Sequence, residues 1–438
     1  MRAGPLLAFL CLSACVATGG AEAAPPVVAA PAEAAQASSA LAARANDLVA
    51  LLNGAAEPER LFSPAFLAQV PAAQVKAISA QLKASYGAAK AVARIEASSA
   101  TNGTIFVEFE RATVRLQMAI GPAPPQLIEG LLVAGVEAKG ESVAILFGEI
   151  VSLPGQVALD AARLDEGGPA SFLTQRAEQP MAIGSAFKLF ILAEVVREVK
   201  AGTRKWSDVA PLDRQSLPSG LLQDWPKGSP LTLHSLAAMM ISRSDNSAAD
   251  TLLALLGREK VEQLLPALGV KAAERNRPFL STREAFALKL GGPALLARWT
   301  AADEAGRRAI LTGPLASVDA RTLDPARLSG QPVATGTAEW FASPADLVRT
   351  LDWLRRSGDR TALDILAINP GLGRAAAQGF DYFGFKGGSE PGVINTSFLL
   401  RSREGRWIGL SVTWNNEAAP LDEGRFIALV GRLVALMR

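Results

Sequence analysis

Ser185 and Lys188 stand three residues apart in the run Met181-Ala182-Ile183-Gly184-Ser185-Ala186-Phe187-Lys188-Leu189-Phe190-Ile191-Leu192. Beyond Ser185 the run predicts a helix that is apolar almost all round and therefore buried. Residues three apart share a helical face, so the hydroxyl and the amine meet one turn apart. A lysine amine inside an apolar helix loses hydration, which favours its neutral form and lets it take the hydroxyl proton. A serine at the start of such a helix also lies near free N–H groups that stabilise developing negative charge. The chemistry implied is nucleophilic attack by Ser185 with Lys188 as its base. Taken alone the spacing is a weak signal, since about one match is expected by chance in a chain of this composition.

Two further groups supply what such a nucleophile needs. In Ser244-Asp245-Asn246 a hydroxyl is available to relay a proton to a leaving nitrogen, and an amide to hold both Lys188 and a substrate amide. The same tripeptide also reads as an N-cap before a helix over 248–256. Lys386-Gly387-Gly388-Ser389 follows the strand-like run 380–385 and precedes another strand. Its lysine offers a positive charge to a carboxylate, and its glycines permit close approach of another backbone.

In order and in the separation of the first two, these elements resemble the S-x-x-K, S-D-N and K-T-G set of class A β-lactamases and penicillin-binding proteins. The flanks agree: Pro230-Leu231-Thr232-Leu233 leads into the helix before Ser244, and Ser247-Ala248-Ala249 and Leu255-Leu256-Gly257 follow it. The resemblance covers about 155 to 438. It implies a serine hydrolase that cleaves β-lactams or similar amides and esters through an acyl-enzyme on Ser185, with no metal or cofactor. Lys188 would activate Ser185, Ser244 would protonate the leaving group, and Lys386 would support Ser244 and attract the carboxylate. Asn246, Gly387, Gly388 and Ser389 would bind substrate, with the N–H groups of Ser185 and Ser389 forming the oxyanion hole. A D-alanyl peptidase or esterase, and a sensor that is acylated without turnover, are the alternatives.

Three departures bear on turnover. Class A members carry an acidic residue in an E-x-x-L-N loop that activates the deacylating water. Here the region reads Arg277 to Leu288, where Glu284 is the nearby acid but no Asn follows in register. Gly387 replaces the threonine of K-T-G, and the stretch from Asn246 to Lys386 is long, with an extra segment around 291–335. Acylation with slow deacylation is the expectation.

The elements that must position these residues are those of an α+β fold. Short strands over 157–164 and 171–176 pair through Asp165-Glu166-Gly167-Gly168. Strands over 379–385, 393–401 and 407–414 join them, a terminal helix over 423–437 follows, and helices fill the middle. For residues 151–438 the resemblance implies a β-lactamase/transpeptidase-like domain, with an antiparallel sheet flanked by helices. Before it, 41–150 reads as a small α+β domain whose pattern resembles cystatin or nuclear-transport-factor-like folds. That domain is predicted to have helices over 41–52 and 65–82, a hairpin turn at Asn102-Gly103 and a strand over 114–120.

Residues 16–40 are rich in Ala, Pro, Gly and Ser and read as a tether. The first fifteen read as a targeting segment, with Arg2 followed by a short apolar run from Leu6 to Leu12. Leu12-Ser13-Ala14-Cys15 resembles a bacterial lipobox, which makes Cys15 the lipidated residue; ordinary cleavage after Ala21-Glu22-Ala23 is the alternative. Either route exports the protein, and the first implies a lipid anchor in the periplasm or cell envelope. Composition narrows the rest. The 438-residue chain has one histidine, two cysteines and a net charge of +2. A zinc site built from His and Cys, which needs three or four such ligands unless carboxylates substitute, is therefore almost excluded, and no basic stripe suggests a nucleic-acid partner. The expected partner is a small-molecule or peptide substrate. His234 reads as an ordinary helix-start residue, which leaves lysine as the base. Oligomeric state is not legible.

Overall fold

The computed structural model describes residues 37–438 apart from 139, 141, 317 and 319–329. Cys15, the targeting segment and most of the 16–40 tether lie outside the described residues. The chain divides into two compact units, one ending at Glu137 and the other running from Ala138 to Arg438.

The first unit begins with α1 (Ser39–Leu52), α2 (Pro58–Leu61), α3 (Pro64–Gln69) and α4 (Ala72–Tyr86). Ser38 caps α1 by accepting from the Leu41 N–H at 3.1 Å. One face of α1 buries Leu41, Ala45, Leu48 and Leu52. The single helix expected over 65–82 is in fact two. Pro71 has no N–H to donate and holds Val70 in an extended conformation, so the helix stops and restarts. A four-stranded antiparallel meander follows: β1 (Ala89–Ala97), β2 (Asn102–Phe109), β3 (Ala112–Ile120) and β4 (Ile128–Ala138). Asn102-Gly103 opens β2 instead of forming the turn. The turn sits before it, where Ser99 Oγ accepts the Thr101 and Asn102 N–H groups at 3.2 and 3.0 Å. Ile105, Val107, Val114, Leu116 and Met118 alternate into the same core as α1.

The second unit takes in α5 (Val143–Val151), so the boundary expected near 150 falls earlier. Leu146 and Ile150 of α5 pack in one cluster with Phe426, Leu429, Val430, Leu433 and Val434 of the last helix, α16 (Glu423–Ala435). Those five recur at helical spacing on one face of α16. Full burial of each such side chain stabilises by about 1.5–3 kcal/mol. Between α5 and α16 run β5 (Gln156–Asp165), β6 (Gly168–Gln175), β7 (Met181–Ala182) and α6 (Lys188–Lys200). Next come β8 (Val209–Pro211), β9 (Pro230–Thr232), α7 (Leu233–Ser242), α8 (Asn246–Leu256), α9 (Arg258–Ala267) and α10 (Thr282–Leu290). The extra segment contributes α11 (Pro293–Ala301) and α12 (Glu304–Thr312). After it come β10 (Phe341–Ala342), α13 (Pro344–Ser357), α14 (Arg360–Ala367), α15 (Arg374–Ala377), β11 (Tyr382–Glu390), β12 (Val393–Arg401) and β13 (Trp407–Asn415).

Both chain ends of this unit meet in one antiparallel sheet of order β11-β12-β13-β5-β6. One face packs on α5 and α16; the other carries Ala162, Leu164 and Leu399 into a larger core built from α6 to α10, α13 and α14. The α+β arrangement expected for 151–438 is what the structure has. One detail differs: β11 does not end before Lys386 but continues to Glu390, paired throughout with β12. The catalytic-type lysine and its glycines therefore lie within a hydrogen-bonded strand rather than in a turn.

Candidate active site

Ser185 sits on a short 3₁₀ turn, Gly184–Phe187, directly ahead of α6. The entry is pinned from outside the helix. β7 pairs with β10, and the Ile183 N–H donates to Trp340 O at 3.1 Å. The Trp340 ring stacks on Phe187 with centroids 3.8 Å apart. Lys188, the first residue of α6, is fully buried, and its Nζ lies 3.3 Å from Ser185 Oγ. The other neighbours of Nζ are Ser244 O at 2.6 Å, Asn246 Oδ1 at 2.7 Å and Ser244 Oγ at 3.2 Å.

Those four oxygens sort themselves chemically. The two closest, a carbonyl and an amide oxygen, only accept; the two hydroxyls give or take a proton. A neutral amine has two N–H bonds for the two obligatory acceptors and one lone pair left to face the hydroxyls. Burial pushes the Lys188 amine down to about 7, against the opposing pull of Asp250 and Asp245. The lysine is thus poised to lose its proton near neutral pH, and its lone pair then points at Ser185.

Ser244 and Asn246 owe their places to Asp245 between them. Asp245 Oδ1 caps α8 through the Ala248 N–H at 2.9 Å, and its Oδ2 accepts the Leu221 and Leu222 N–H groups at 2.6 and 2.9 Å. Cap and catalytic-type tripeptide are therefore the same feature, and Ser244 is held at φ +54° on its edge. Asn246 Nδ2 donates to Leu217 O at 3.2 Å, which leaves the amide oxygen facing Lys188. Gly220 has φ +121°, and a Cβ there would fall 2.3 Å from Asp245 Oδ2. The clamp formed by residues 217–222, and the buried Asp250, carry no distinctive sequence signal and were missed. Gly184 was equally unmarked, although it directly precedes Ser185.

Strand β11 closes the site. Lys386 is buried and donates to Ser244 Oγ at 3.1 Å and to its own Gly387 carbonyl. Burial, and then the nearby Lys188, hold its amine well below the usual lysine range. A Cβ on Gly388 would fall 2.1 Å from Ser185 N and 2.3 Å from Ile183 O, so only glycine lets the strand lie this close. On the other side, a Cβ on Gly184 would come within 3.1 Å of Ser389 N. The backbone nitrogens of Ser185 and Ser389 thus lie where β11 packs against the 3₁₀ turn. At Gly387 a Cβ would meet Asn395 O at 2.9 Å, so the missing threonine hydroxyl has no ready space. Ser185, Lys188, Ser244, Asn246 and Lys386 form one hydrogen-bonded cluster, with Gly388 packed against it.

The sequence model of the beta-lactamase enzyme family matches residues 152–435. The chain belongs to the beta-lactamase enzyme family. Solved structures similar to it include a beta-lactamase from Sphaerobacter thermophilus, at 22% identity and TM-score 0.47, covering 67% of this chain and 95% of that one. PBP-A aligns at 16% identity and TM-score 0.47 over 67% of this chain and 93% of its own. A beta-lactamase from Chitinophaga pinensis aligns at 17% and 0.45, over 67% and 96%. No curated protein matches the chain. The first unit lies outside the residues matched by the family.

In this beta-lactamase-family chain Glu284 is otherwise engaged. It is the third residue of α10 and forms a capping box with Ser281, whose N–H it accepts at 2.8 Å. Its oxygens also accept from Arg258 at 2.7 and 3.1 Å. It lines a cavity of about 450 Å³ with Arg214, Asp250, Arg258 and Arg283, to which Ser185, Lys188, Ser244 and Lys386 do not contribute. Glu284→Gln keeps the cap and weakens only a partly exposed ion pair, a loss of about 1 kcal/mol or less. The expected result is a deacylation rate within about twofold of wild type, measured by decay of the acyl adduct; a tenfold slower decay would restore Glu284 to the mechanism. His234 is exposed on α7 beside Trp206.

Proposed function

We propose that this protein is a serine hydrolase that forms an acyl-enzyme on Ser185 with β-lactams or similar amides and esters, and that deacylation is slow. The observation that carries the reading is the buried Lys188 amine, poised near pH 7 between Ser185 Oγ, Ser244 Oγ and Asn246 Oδ1. Ser185 gives its hydroxyl proton to neutral Lys188 as Oγ bonds to the carbonyl carbon. The resulting oxyanion is met by the N–H groups of Ser185 and Ser389. Ser244 then hands its proton to the leaving nitrogen and takes one from the Lys188 ammonium, and the C–N bond breaks. Lys386 donates to the Ser244 hydroxyl, and a substrate carboxylate arriving beside it raises its amine towards the charged form that holds the carboxylate. Hydrolysis of the ester needs an activated water. Capture of Glu284 by Arg258 and Ser281 supports a long-lived adduct, the feature a sensor would share.

The apolar run Leu6 to Leu12 ahead of Cys15 supports export to the cell envelope with a lipid anchor. D-Alanyl peptides and simple esters are the substrates to try next to β-lactams. The test is intact-protein mass spectrometry on a soluble form starting near Leu41, mixed with a penicillin and a cephalosporin. A drug-sized mass gain on wild type, absent from Ser185→Ala, is expected. Neither adduct nor hydrolysed drug would sink the β-lactam assignment.

A further inference from the structure

Away from the cluster just described, one group of charges is buried without any part in the proposed chemistry. Lys289, near the end of α10, donates to Oε1 of Glu339 and to Oε1 of Glu390. The side chains of Lys289 and Glu339 are each 1% exposed and that of Glu390 12%. Three charges in so dry a place cost several kcal/mol each in desolvation unless geometry repays it. Burial, and then the neighbouring Glu339, hold the Glu390 carboxyl well above the usual carboxylate range.

Its placement is what matters. Alternate residues of a strand share a face, which puts Lys386, Gly388 and Glu390 on the same side of β11. Lys386 reaches Ser244, Gly388 lies against Ser185 N, and Glu390 reaches Lys289. Glu339 precedes Trp340, whose carbonyl accepts the Ile183 N–H, and β10, which pairs with β7. One buried ammonium thus ties the strand that bears Ser389 to the segment that braces Ser185.

We infer that the Glu339–Lys289–Glu390 cluster is a positioning device that sets the spacing of the Ser185 and Ser389 N–H groups, and so the rate at which Ser185 is acylated. The inference rests on the acyl-enzyme reading. It makes Lys289 and Glu390 positioning residues that act through β11 without touching substrate. Without the tie, β11 keeps its attachments at Tyr382, Lys386 and Gly388 but loses the one beyond Ser389, and a shift of about 1 Å at Ser389 costs on the order of 10- to 100-fold.

The experiment is stopped-flow acylation of the full chain by a chromogenic cephalosporin, separating the encounter constant from the acylation rate constant. Glu390→Ala removes the tie at a partly exposed strand end. It is expected to lower the rate constant at least tenfold while the encounter constant stays within about threefold. Glu390→Gln keeps an oxygen for Lys289 and is expected to recover most of the rate. Lys289→Met should match Glu390→Ala, and the double variant should be no slower than either. Folding of each variant is read from its melting temperature, and loosening of β11 from faster amide exchange at Gly388 and Ser389. A folded Glu390→Ala acylated at the wild-type rate, or a Glu390→Gln as slow as Glu390→Ala, overturns the clamp alone. A wild type that no acylating probe modifies brings down the acyl-enzyme reading, and this inference with it.

Discussion

Lys188→Met is expected to lower the acylation rate of Ser185 by about 10³-fold, within the range for loss of a positioned general base. The side chain is buried, and methionine fills nearly the same volume, so packing around α6 is largely kept. What goes is the only nitrogen within hydrogen-bonding reach of Ser185 Oγ in the described cluster. Ser244 O and Asn246 Oδ1 lose their donor as well, which makes a measured melting temperature the necessary control. The wild-type pH profile tests the same idea without a mutation. Because burial lowers the Lys188 amine to about 7, its active neutral form is scarce below that pH and dominant above it. Acylation should climb about tenfold per pH unit below pH 7 and level off above it. The nearby Lys188 helps hold the Lys386 amine down, so the titration of the two is linked. A profile that is flat between pH 5 and 9 would show that some other group takes the proton.

Gly388→Ala is the second large effect. The added methyl carbon would fall 2.1 Å from Ser185 N, 2.3 Å from Ile183 O and 2.8 Å from Ala186 N. All three are backbone atoms at the start of α6, which no side-chain rotation can relieve. Either β11 lifts or the 3₁₀ turn yields, and in both cases the nitrogens of Ser185 and Ser389 separate. Loss of one oxyanion donor costs on the order of 10²- to 10³-fold, so a drop in acylation of about 10²-fold or more is expected. The readout is the rate of adduct formation by mass spectrometry, with the encounter constant as internal comparison. Gly387→Ala makes the informative contrast, since its nearest contacts are one side-chain ring, Phe385 at 2.8 Å, and a single carbonyl at 2.9 Å. If Gly388→Ala folds and acylates at the wild-type rate, the close packing of β11 on Ser185 has no bearing on chemistry.

Much of the site was legible because its parts are short and local. Ser185 and Lys188 are one turn apart by covalent connectivity, and their apolar surroundings announced a buried amine. The Asp245 cap was legible for the same reason, since capping is decided within four residues. Local signals also misled where two of them competed. The helical pattern over 65–82 ran through Pro71, whose missing N–H prevailed. Asn102-Gly103 suited a turn, but Ser99 made one three residues earlier and left Gly103 opposite Ala97 in the ladder. Glu284 looked available as an acid because it was near in sequence; a capping box and Arg258 had taken its oxygens.

Residue type and order along the chain thus determined the α+β class and the family, and singled out Ser185 and Lys188 as the candidate nucleophile and base. Tertiary structure decided everything that depends on pairing across long separations. Lys386 meets Ser244 across 142 residues, and Glu390 meets Lys289 across 101. Those meetings exist only because β11 is registered residue by residue against β12 and stacked on the start of α6. A pKa is likewise a property of the surroundings: Lys188 and Lys386 have the same side chain, and it is the burial, the aspartates near one and the lysine near the other that set them apart.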